Sequence, residues 1–305
     1  MVEVTWYDRL SDDVVESVRR LLLAARARDG RPEVAGTGPL PRELRSGSHV
    51  LATADGRLVG YAHLDFRGDA QGRPVAELFV HPDGRRHGVG ALLAEQLIER
   101  SVSRPLRVWS HGDHPGAAHI AEKFGFVRVR ELLKMGLDYE ALAAGTALPV
   151  PSWPPGVRVR TFVPGQDEPE VVRVNHRAFD WHPEQGALTV DDLAAAEDEA
   201  WFDPDGFILA IDTEDRLLGF HWTKVHQQSP PVGEVYVVGV DPDAQGAGLG
   251  TALTLAGLHH LHRSGLSRVV LYVESDNLPA MAVYTHLGFT TIETDVQYEL
   301  PPAGA

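Results

Sequence analysis

The segment GEVYVVGVDPDAQGAGLGTAL, Gly233 to Leu253, joins an apolar strand to a turn at Asp241-Pro242 and then to Gln245-x-x-Gly248-x-Gly250 at the start of a helix. Glycines in these places admit positive φ and close backbone approach, so successive N–H groups and a helix N-terminus converge on one spot, a cradle for pyrophosphate. A diverged copy, AELFVHPDGRRHGVGALL, runs from Ala76 to Leu93, with Arg85-x-x-Gly88-x-Gly90 in the matching place 160 positions earlier. The chain reads as a duplication.

Working outward from the two loops, 305 residues suit two domains of about 150 each, long enough to bury full cores. The stretch ALAAGTALPVPSWPPG, residues 141–156, has the composition of a linker and divides a first domain, 1–140, from a second, 157–305. In the first, the pattern predicts a strand near Val4, a helix over Asp12–Arg28, strands at Ser48–Thr53 and Leu58–Phe66 joined by an Asp55-Gly56 hairpin, and a strand at Val75–Val80. After the loop come a helix from Gly88, strand Leu106–Ser110, helix Pro115–Phe124 and strand Val127–Met135. The second half repeats the order, ending in helix Gly248–Ser264, strand Arg268–Val273, helix Pro279–Leu287 and strand Thr290–Leu300. The fold class expected is α/β, in the sense of a mixed α+β sheet with flanking helices, twice in tandem.

Composition narrows the function. Residues 1–150 hold 20 Lys+Arg and 20 Asp+Glu, whereas 151–305 hold 8 and 23, so the net charge of −15 sits in the second half. That field disfavours nucleic acid and favours a small-molecule, cationic partner. No apolar run approaches the ~20 residues of a membrane helix, and the acidic start MVEVTWYDRLSDD lacks the pattern of a secretory signal, so a cytoplasmic protein free of membrane is expected. With no cysteine, disulfides, thiolate metal sites and a covalent cysteine intermediate are excluded.

Strand, Gln/Arg-x-x-Gly-x-Gly and helix together resemble the acetyl-CoA loop of the GCN5-related N-acetyltransferase (GNAT) superfamily. Asn277-x-Pro279-Ala280-x-x-x-Tyr284-x-x-Leu287-Gly288-Phe289 is similar to the second signature of that family, a short helix beside the pantetheine arm with a tyrosine facing the thioester sulfur. The dinucleotide pattern G-x-G-x-x-G fails, since Thr251 stands where its third glycine would be. Aminolysis of a thioester needs a neutral amine, a stabilised oxyanion and a donor to the departing thiolate. Glu234 is the candidate base, expected by alternation to share a face with Tyr236, Val238 and Val240. Tyr284, with an ordinary pKa near 10, is the candidate acid. Backbone N–H groups of Val238 to Val240 are expected to meet the oxyanion, at a β-bulge that Gly239 would accommodate. In the first half, Pro74 falls opposite Glu234, Ala121 opposite Tyr284 and His114 opposite Asn277, so that copy is expected to bind without catalysing.

HPEQG at 182–186, LLGFHWTKVH at 217–226, GEVYVVGVDP at 233–242 and LYVESDN at 271–277, with looser matches AELFVHP and RELLKM in the first half, resemble the mycothiol synthase family of tandem GNAT enzymes. The resemblance implies acetyl transfer to the cysteinyl amine of a cysteinyl-glucosamine-inositol, without a metal. It implies acceptor contacts at Glu184, Lys224, Glu234 and Tyr272, with Glu33 a substitute in the lengthened loop Pro32–Glu43. Acetyl-CoA would meet Val238, Gly239 and Val240, the loop Gln245, Gly246, Ala247, Gly248, Leu249, Gly250 and Thr251, and the helix Asn277, Leu278, Pro279, Ala280, Met281 and Ala282. A second molecule would meet Leu78, Phe79 and Val80 with Arg86, His87, Gly88, Val89, Gly90 and Ala91. Two tandem domains would replace the dimer contacts of single-domain relatives, so a monomer is expected. Two alternatives stay open: an acetyltransferase of other amines, which would differ in the acceptor loops, and a non-catalytic acyl-CoA sensor, which would lack the acid and base in both halves.

Overall fold

The computed structural model describes residues 2–302 except 33, 42, 43, 70, 102, 103, 141–147, 181–184 and 228. Two compact units emerge, residues 1–132 with 294–305 and residues 133–293. The first half of the sequence supplies β1 (Val2–Tyr7), α1 (Asp12–Asp29), β2 (Ser48–Ala54), β3 (Arg57–Asp65), β4 (Val75–Val80), α2 (Val89–Arg100), β5 (Leu106–Ser110), α3 (Pro115–Phe124) and β6 (Val127–Asp138). From the second half come β7 (Arg158–Thr161), α4 (Glu168–Ala178), α5 (Val190–Glu197), β8 (Phe207–Ile211), β9 (Leu217–His226), β10 (Val232–Val240), α6 (Leu249–Arg263), β11 (Arg268–Glu274), α7 (Leu278–His286) and β12 (Thr290–Leu300). Among the described residues no helix is long and apolar enough to cross a membrane.

Strand order in the first unit is β1-β2-β3-β4-β5-β12, and in the second β7-β8-β9-β10-β11-β6. The last strand of each sheet therefore comes from the other half of the sequence. In both units the fourth and fifth strands run parallel, while the earlier neighbours are antiparallel. The hairpin between β2 and β3 turns through Asp55 (φ 50°) and Gly56 (φ 72°), the paired positive φ values that a tight two-residue turn demands.

Parallel pairing is brief in both units, and this positions the clefts. β4 and β5 are in register only from Val75↔Arg107 to Glu77↔Trp109, and β10 and β11 only from Gly233↔Val269 to Val235↔Leu271. Beyond those points the fourth strand continues to Val80 or Val240 without a ladder to the fifth. A phosphate-type loop and its helix stand at the end of each unpaired stretch.

β10 carries a bulge, and it lies earlier than expected. The β9–β10 register slips between Val235↔Thr223 and Val237↔Trp222, which leaves Tyr236 as the extra residue, whereas Gly239 pairs regularly with Phe220. One inserted residue reverses the alternation of everything beyond it. Val235 and Val238 accordingly pack with Leu255 and Leu258 on the α6 face, and Val240 with Leu253. Val237 packs with Phe220 and Trp222 on the α4 and α5 face, where Tyr236 also meets Trp201 and Trp222. Glu234 thus shares a face with Tyr236 but not with Val238 and Val240, correcting the simple alternation.

Gly239 has a packing reason instead. A Cβ there would come within 2.7 and 2.9 Å of the Phe220 ring, which is fully buried. Gly239→Ala is expected to lower unfolding stability by about 1–3 kcal/mol through overpacking. Gly36→Ala, at a position with open space and no positive φ, should stay within about 0.5 kcal/mol. Urea midpoints of the two variants check this, and equal midpoints would contradict the packing argument.

Candidate active site

The second unit's cleft, about 620 Å³, lies where β10 parts from β11. Val238, Val240, Gln245, Gly246, Gly248, Leu249, Gly250, Thr251, Asn277, Pro279, Ala280 and Tyr284 line it. Gly239, Ala247, Leu278, Met281 and Ala282 are not among its lining residues. Gly239 is turned onto Phe220, Met281 packs on the core, and Leu278 is 71% exposed. The lining residues missed by the sequence reading are Ala178, the last of α4, Phe179 beside it, Thr254 of α6, Asp276 and Val283 of α7.

Local chemistry shows what this loop offers an anion. Helix α6 starts at Gly248 (φ 80°) with no side chain capping it and no acidic residue in its first turn. Its leading N–H groups are left without an intrahelical partner, at the positive end of the dipole. The neighbouring α7 is closed differently: the Asn277 side chain accepts from Ala280 N at 3.2 Å. Gln245 does not cradle the anion with its amide; it donates to Val240 O at 3.2 Å and ties the loop back to the strand. Asp241 anchors the turn, accepting from Asp243 N and pairing with Arg173 and Arg177 of α4 at 2.9 and 3.1 Å.

Tyr284 lines the cleft, whereas Glu234, Lys224 and Tyr272 are not among its lining residues and Glu234 lies on the other face of the sheet. Glu234 is buried, and its Oε2 lies 2.6 Å from His226 Nε2. Lys224 is its cross-strand partner, with Nζ 4.4 Å from the Trp201 ring centroid and 4.8 Å from that of Tyr236. Such a placement fixes the ammonium by cation–π attraction. Val270 of β11 is in register with Glu234, so Tyr272, two residues on, shares that face; Lys134 Nζ sits 5.3 Å from its ring. Tyr284 borders the cleft on the other face, edge-on to Phe289, and burial pushes its phenol up to about 12. It is a neutral donor at physiological pH. Glu33 and Glu184, the remaining acceptor residues expected from sequence, lie outside the described residues.

The first unit keeps the loop and changes the chemistry around it. Its cleft, about 720 Å³, is lined by Leu78, Phe79, Val80, Arg86, Gly88, Gly90 and Ala91 among others, while Val89 is buried in the core and His87 is not among the lining residues. Helix α2 likewise starts at an uncapped glycine, Gly88 (φ 82°), and Arg85 Nε donates to Val80 O at 3.3 Å as Gln245 does to Val240. Arg86 occupies the left-handed conformation (φ 66°) that Gly246 takes in the other copy. The Arg85 guanidinium also pairs with Asp29 at 3.0 Å and holds that carboxyl below its usual range. His114 caps α3 through Gly116 N, the service Asn277 gives α7.

No bulge interrupts the β3–β4 ladder, which runs evenly from Asp65↔Val75 to Gly60↔Val80. Counting back from Val80, the residue in the place of Glu234 is therefore Val75, and Pro74 is one position too early. Neither is a carboxylate, and Ala121 stands bare in the cleft. The ionisable cluster here is His111, with Nε2 3.0 Å from Glu77 and Nδ1 3.2 Å from Asp295. Burial alone would lower the imidazole pKa, yet the Glu77 and Asp295 carboxylates push it up to about 10.

With this geometry in hand, comparisons with known proteins decide the family. The model of the acetyltransferase (GNAT) family matches residues 17–126 and 174–289. The chain belongs to the acetyltransferase (GNAT) family. It is 58% identical to a mycothiol acetyltransferase of Saccharomonospora viridis, covering 98% of this chain and 99% of that one. With a mycothiol acetyltransferase of Amycolatopsis mediterranei it shares 57% identity, over 96% and 97%. Among solved structures it resembles a GCN5-related N-acetyltransferase from Sphaerobacter thermophilus, TM-score 0.72, 22% identity, 99% and 98% covered. A tandem GNAT protein from the clavulanic acid biosynthesis pathway gives 0.68, 22%, with 98% of both chains covered. The expectation of a mixed-sheet GNAT fold in tandem is borne out.

His111 gives a measurable consequence. Its raised pKa means that the folded state binds a proton more tightly than the unfolded chain between about 6.5 and 10. The stability it contributes is full below pH 6.5 and lost as pH rises through about 10. Urea unfolding at pH 7 and pH 10 should show wild type weakening toward pH 10 and His111→Gln weakening less. Parallel pH dependence in both proteins would contradict the ion triad.

Proposed function

We propose that this acetyltransferase moves the acetyl group of acetyl-CoA to the cysteinyl amine of a cysteinyl-glucosamine-inositol, giving mycothiol and CoA, with the chemistry in the second unit. The observation that carries the division of labour is that the two clefts share an uncapped glycine-started helix, whereas Glu234 and Tyr284 of the second unit are matched in the first by Val75 and Ala121. Identity near 58% over almost the whole chain supports the choice of acceptor.

In this reading the N–H groups opening α6 hold the pyrophosphate of acetyl-CoA, and the unpaired edge of β10 at Val238 to Val240 receives the pantetheine arm and the thioester oxygen. Glu234 accepts a proton from the acceptor's ammonium, and the freed amine attacks the thioester carbon. The tetrahedral intermediate collapses by breaking the C–S bond. Tyr284, kept protonated by burial, donates a hydrogen bond to the departing sulfur. Because an ordinary thiol has a pKa of about 8.5, well below this phenol, the sulfur leaves as a thiolate while Tyr284 keeps its proton, and the second proton shed by the nitrogen as it becomes an amide passes to that thiolate, giving CoA as the free thiol. Lys224, Tyr272 and Glu184 would contact the hydroxyl-rich acceptor. A second acetyl-CoA molecule fits the first cleft as a bound, unreacted ligand.

Mass spectrometry after mixing the protein with acetyl-CoA and cysteinyl-glucosamine-inositol, beside aminoglycoside and peptide amines, should show N-acetylated pseudodisaccharide. Its absence, or equal acetylation of every amine, would overturn the acceptor. Glu234→Ala and Tyr284→Phe should each lower kcat by about 10²-fold. Val75→Ala in the first unit should leave kcat within about twofold, and equal losses from both units would overturn the division of labour.

A further inference from the structure

Glu234 is not alone in its pocket. His226, the last residue of β9, sits across from Val232 at the open end of the β9–β10 ladder, and its ring reaches forward along the sheet face to the Glu234 carboxylate. The Nε2–Oε2 separation of 2.6 Å is short for a charge-assisted pair, and an ionised carboxylate only accepts, so Nε2 carries the hydrogen. The side chain of Glu234 is 9% accessible and that of His226 31%, which places the histidine between the carboxylate and water. Lys224, directly across the ladder from Glu234, has its ammonium over the Trp201 and Tyr236 rings. The recorded hydrogen bond to Glu234 therefore comes from His226.

A base is effective when its lone pair is already aimed at the proton it must take. A glutamate has three rotatable bonds, and the bulge at Tyr236 loosens the strand two residues away. We propose that His226 is a positioning residue for Glu234: its Nε2–H occupies Oε2, fixes the plane of the carboxylate and leaves Oε1 directed at the acceptor amine. The assignment rests on the acetyl-transfer reading above. No proton passes through the imidazole; the amine's proton goes to Oε1, and the hydrogen bond to Oε2 is kept throughout.

Glutamine places an amide nitrogen as many bonds from Cα as histidine places Nε2, so His226→Gln keeps a donor at the same reach without a titrating ring. His226→Leu fills similar space with no donor. Steady-state kinetics with the pseudodisaccharide should show kcat for His226→Leu about tenfold to hundredfold lower, the cost of one charge-assisted hydrogen bond. KM for acetyl-CoA and calorimetric CoA affinity should not change, because neither involves this face of the sheet. His226→Gln should recover most of kcat. In a Glu234→Gln background, His226→Leu should cost nothing further, since there is no carboxylate left to aim.

A His226→Leu enzyme with wild-type kcat, a glutamine variant as impaired as the leucine variant, or a leucine penalty that persists in the Glu234→Gln background would overturn the assignment. Loss of CoA affinity in the leucine variant would do so too, by showing a wider structural role. Wild-type turnover separates the two levels of the argument. An active wild type with an indifferent His226 removes only this proposal, whereas a wild type inert toward every amine removes the acetyl-transfer reading and this proposal with it.

Discussion

One extra residue in one strand governs the second unit. Tyr236 bulges out of the β9–β10 ladder, and beyond it the faces of β10 are exchanged. Upstream, Glu234 shares a face with Lys224, His226 and the aromatic cluster of Trp201, Trp222 and Tyr236. Downstream, Val238 and Val240 look toward α6 and the cleft. A regular strand would put all four side chains on one face. With the bulge, a single strand presents these side chains to two faces of the sheet, and beyond Val235 it has no ladder to β11; in the proposed reaction that gap is where the two substrates meet. An acyl carrier on one side and an amine on the other can then meet without either occupying the other's space.

The loop after that strand depends on what is left undone. Both glycine-started helices lack a capping side chain and an acidic first turn, whereas α3 and α7 are closed by His114 and Asn277. Caps typically contribute about 1 kcal/mol, and in the proposed reading these two ends do without one so that an external anion takes its place. Gln245 and Arg85 belong to this preparation. Each spends a side-chain donor on the carbonyl ending its strand, which shapes the loop and leaves the backbone N–H groups for phosphate.

Much of this is legible in the sequence. The strand, loop and helix recur at a fixed spacing, and β4, β5, α3 and β12 coincide with the ranges that hydrophobic patterning predicts. Glu234 and Tyr284 stand out through residue type and place. The bulge does not, because a run such as Val235-Tyr236-Val237-Val238 reads as strand in either parity, and the slip is decided by which faces Trp222 and Leu255 can fill. Gly239 misleads for the same reason: glycine suits a bulge, but here it makes room for Phe220. The origin of the last strand in each sheet is equally silent, since a strand's pattern records that one face is buried without naming its neighbour. His226 escapes notice because a lone histidine at a strand end acquires meaning only from the carboxylate eight positions away.

In the proposed reading, holding a carrier and using it are separable requirements. In the first unit, β4 and β5 part after three register pairs just as β10 and β11 do, although β4 has no bulge. Splaying therefore comes from the strand geometry and the loop, and a cleft of similar size forms without the slip. What the regular strand forgoes is the change of parity. Glu77, on the face of β4 that carries Phe79, is committed with Asp295 to the His111 imidazolium, so both of its chemically useful neighbours are spoken for by an ion triad. A base that must take up a proton in each turnover cannot also be the permanent counter-ion of a buried cation, because protonating it would strand that cation in a medium that does not solvate it. The first unit's carboxylate is thereby fixed in a structural task.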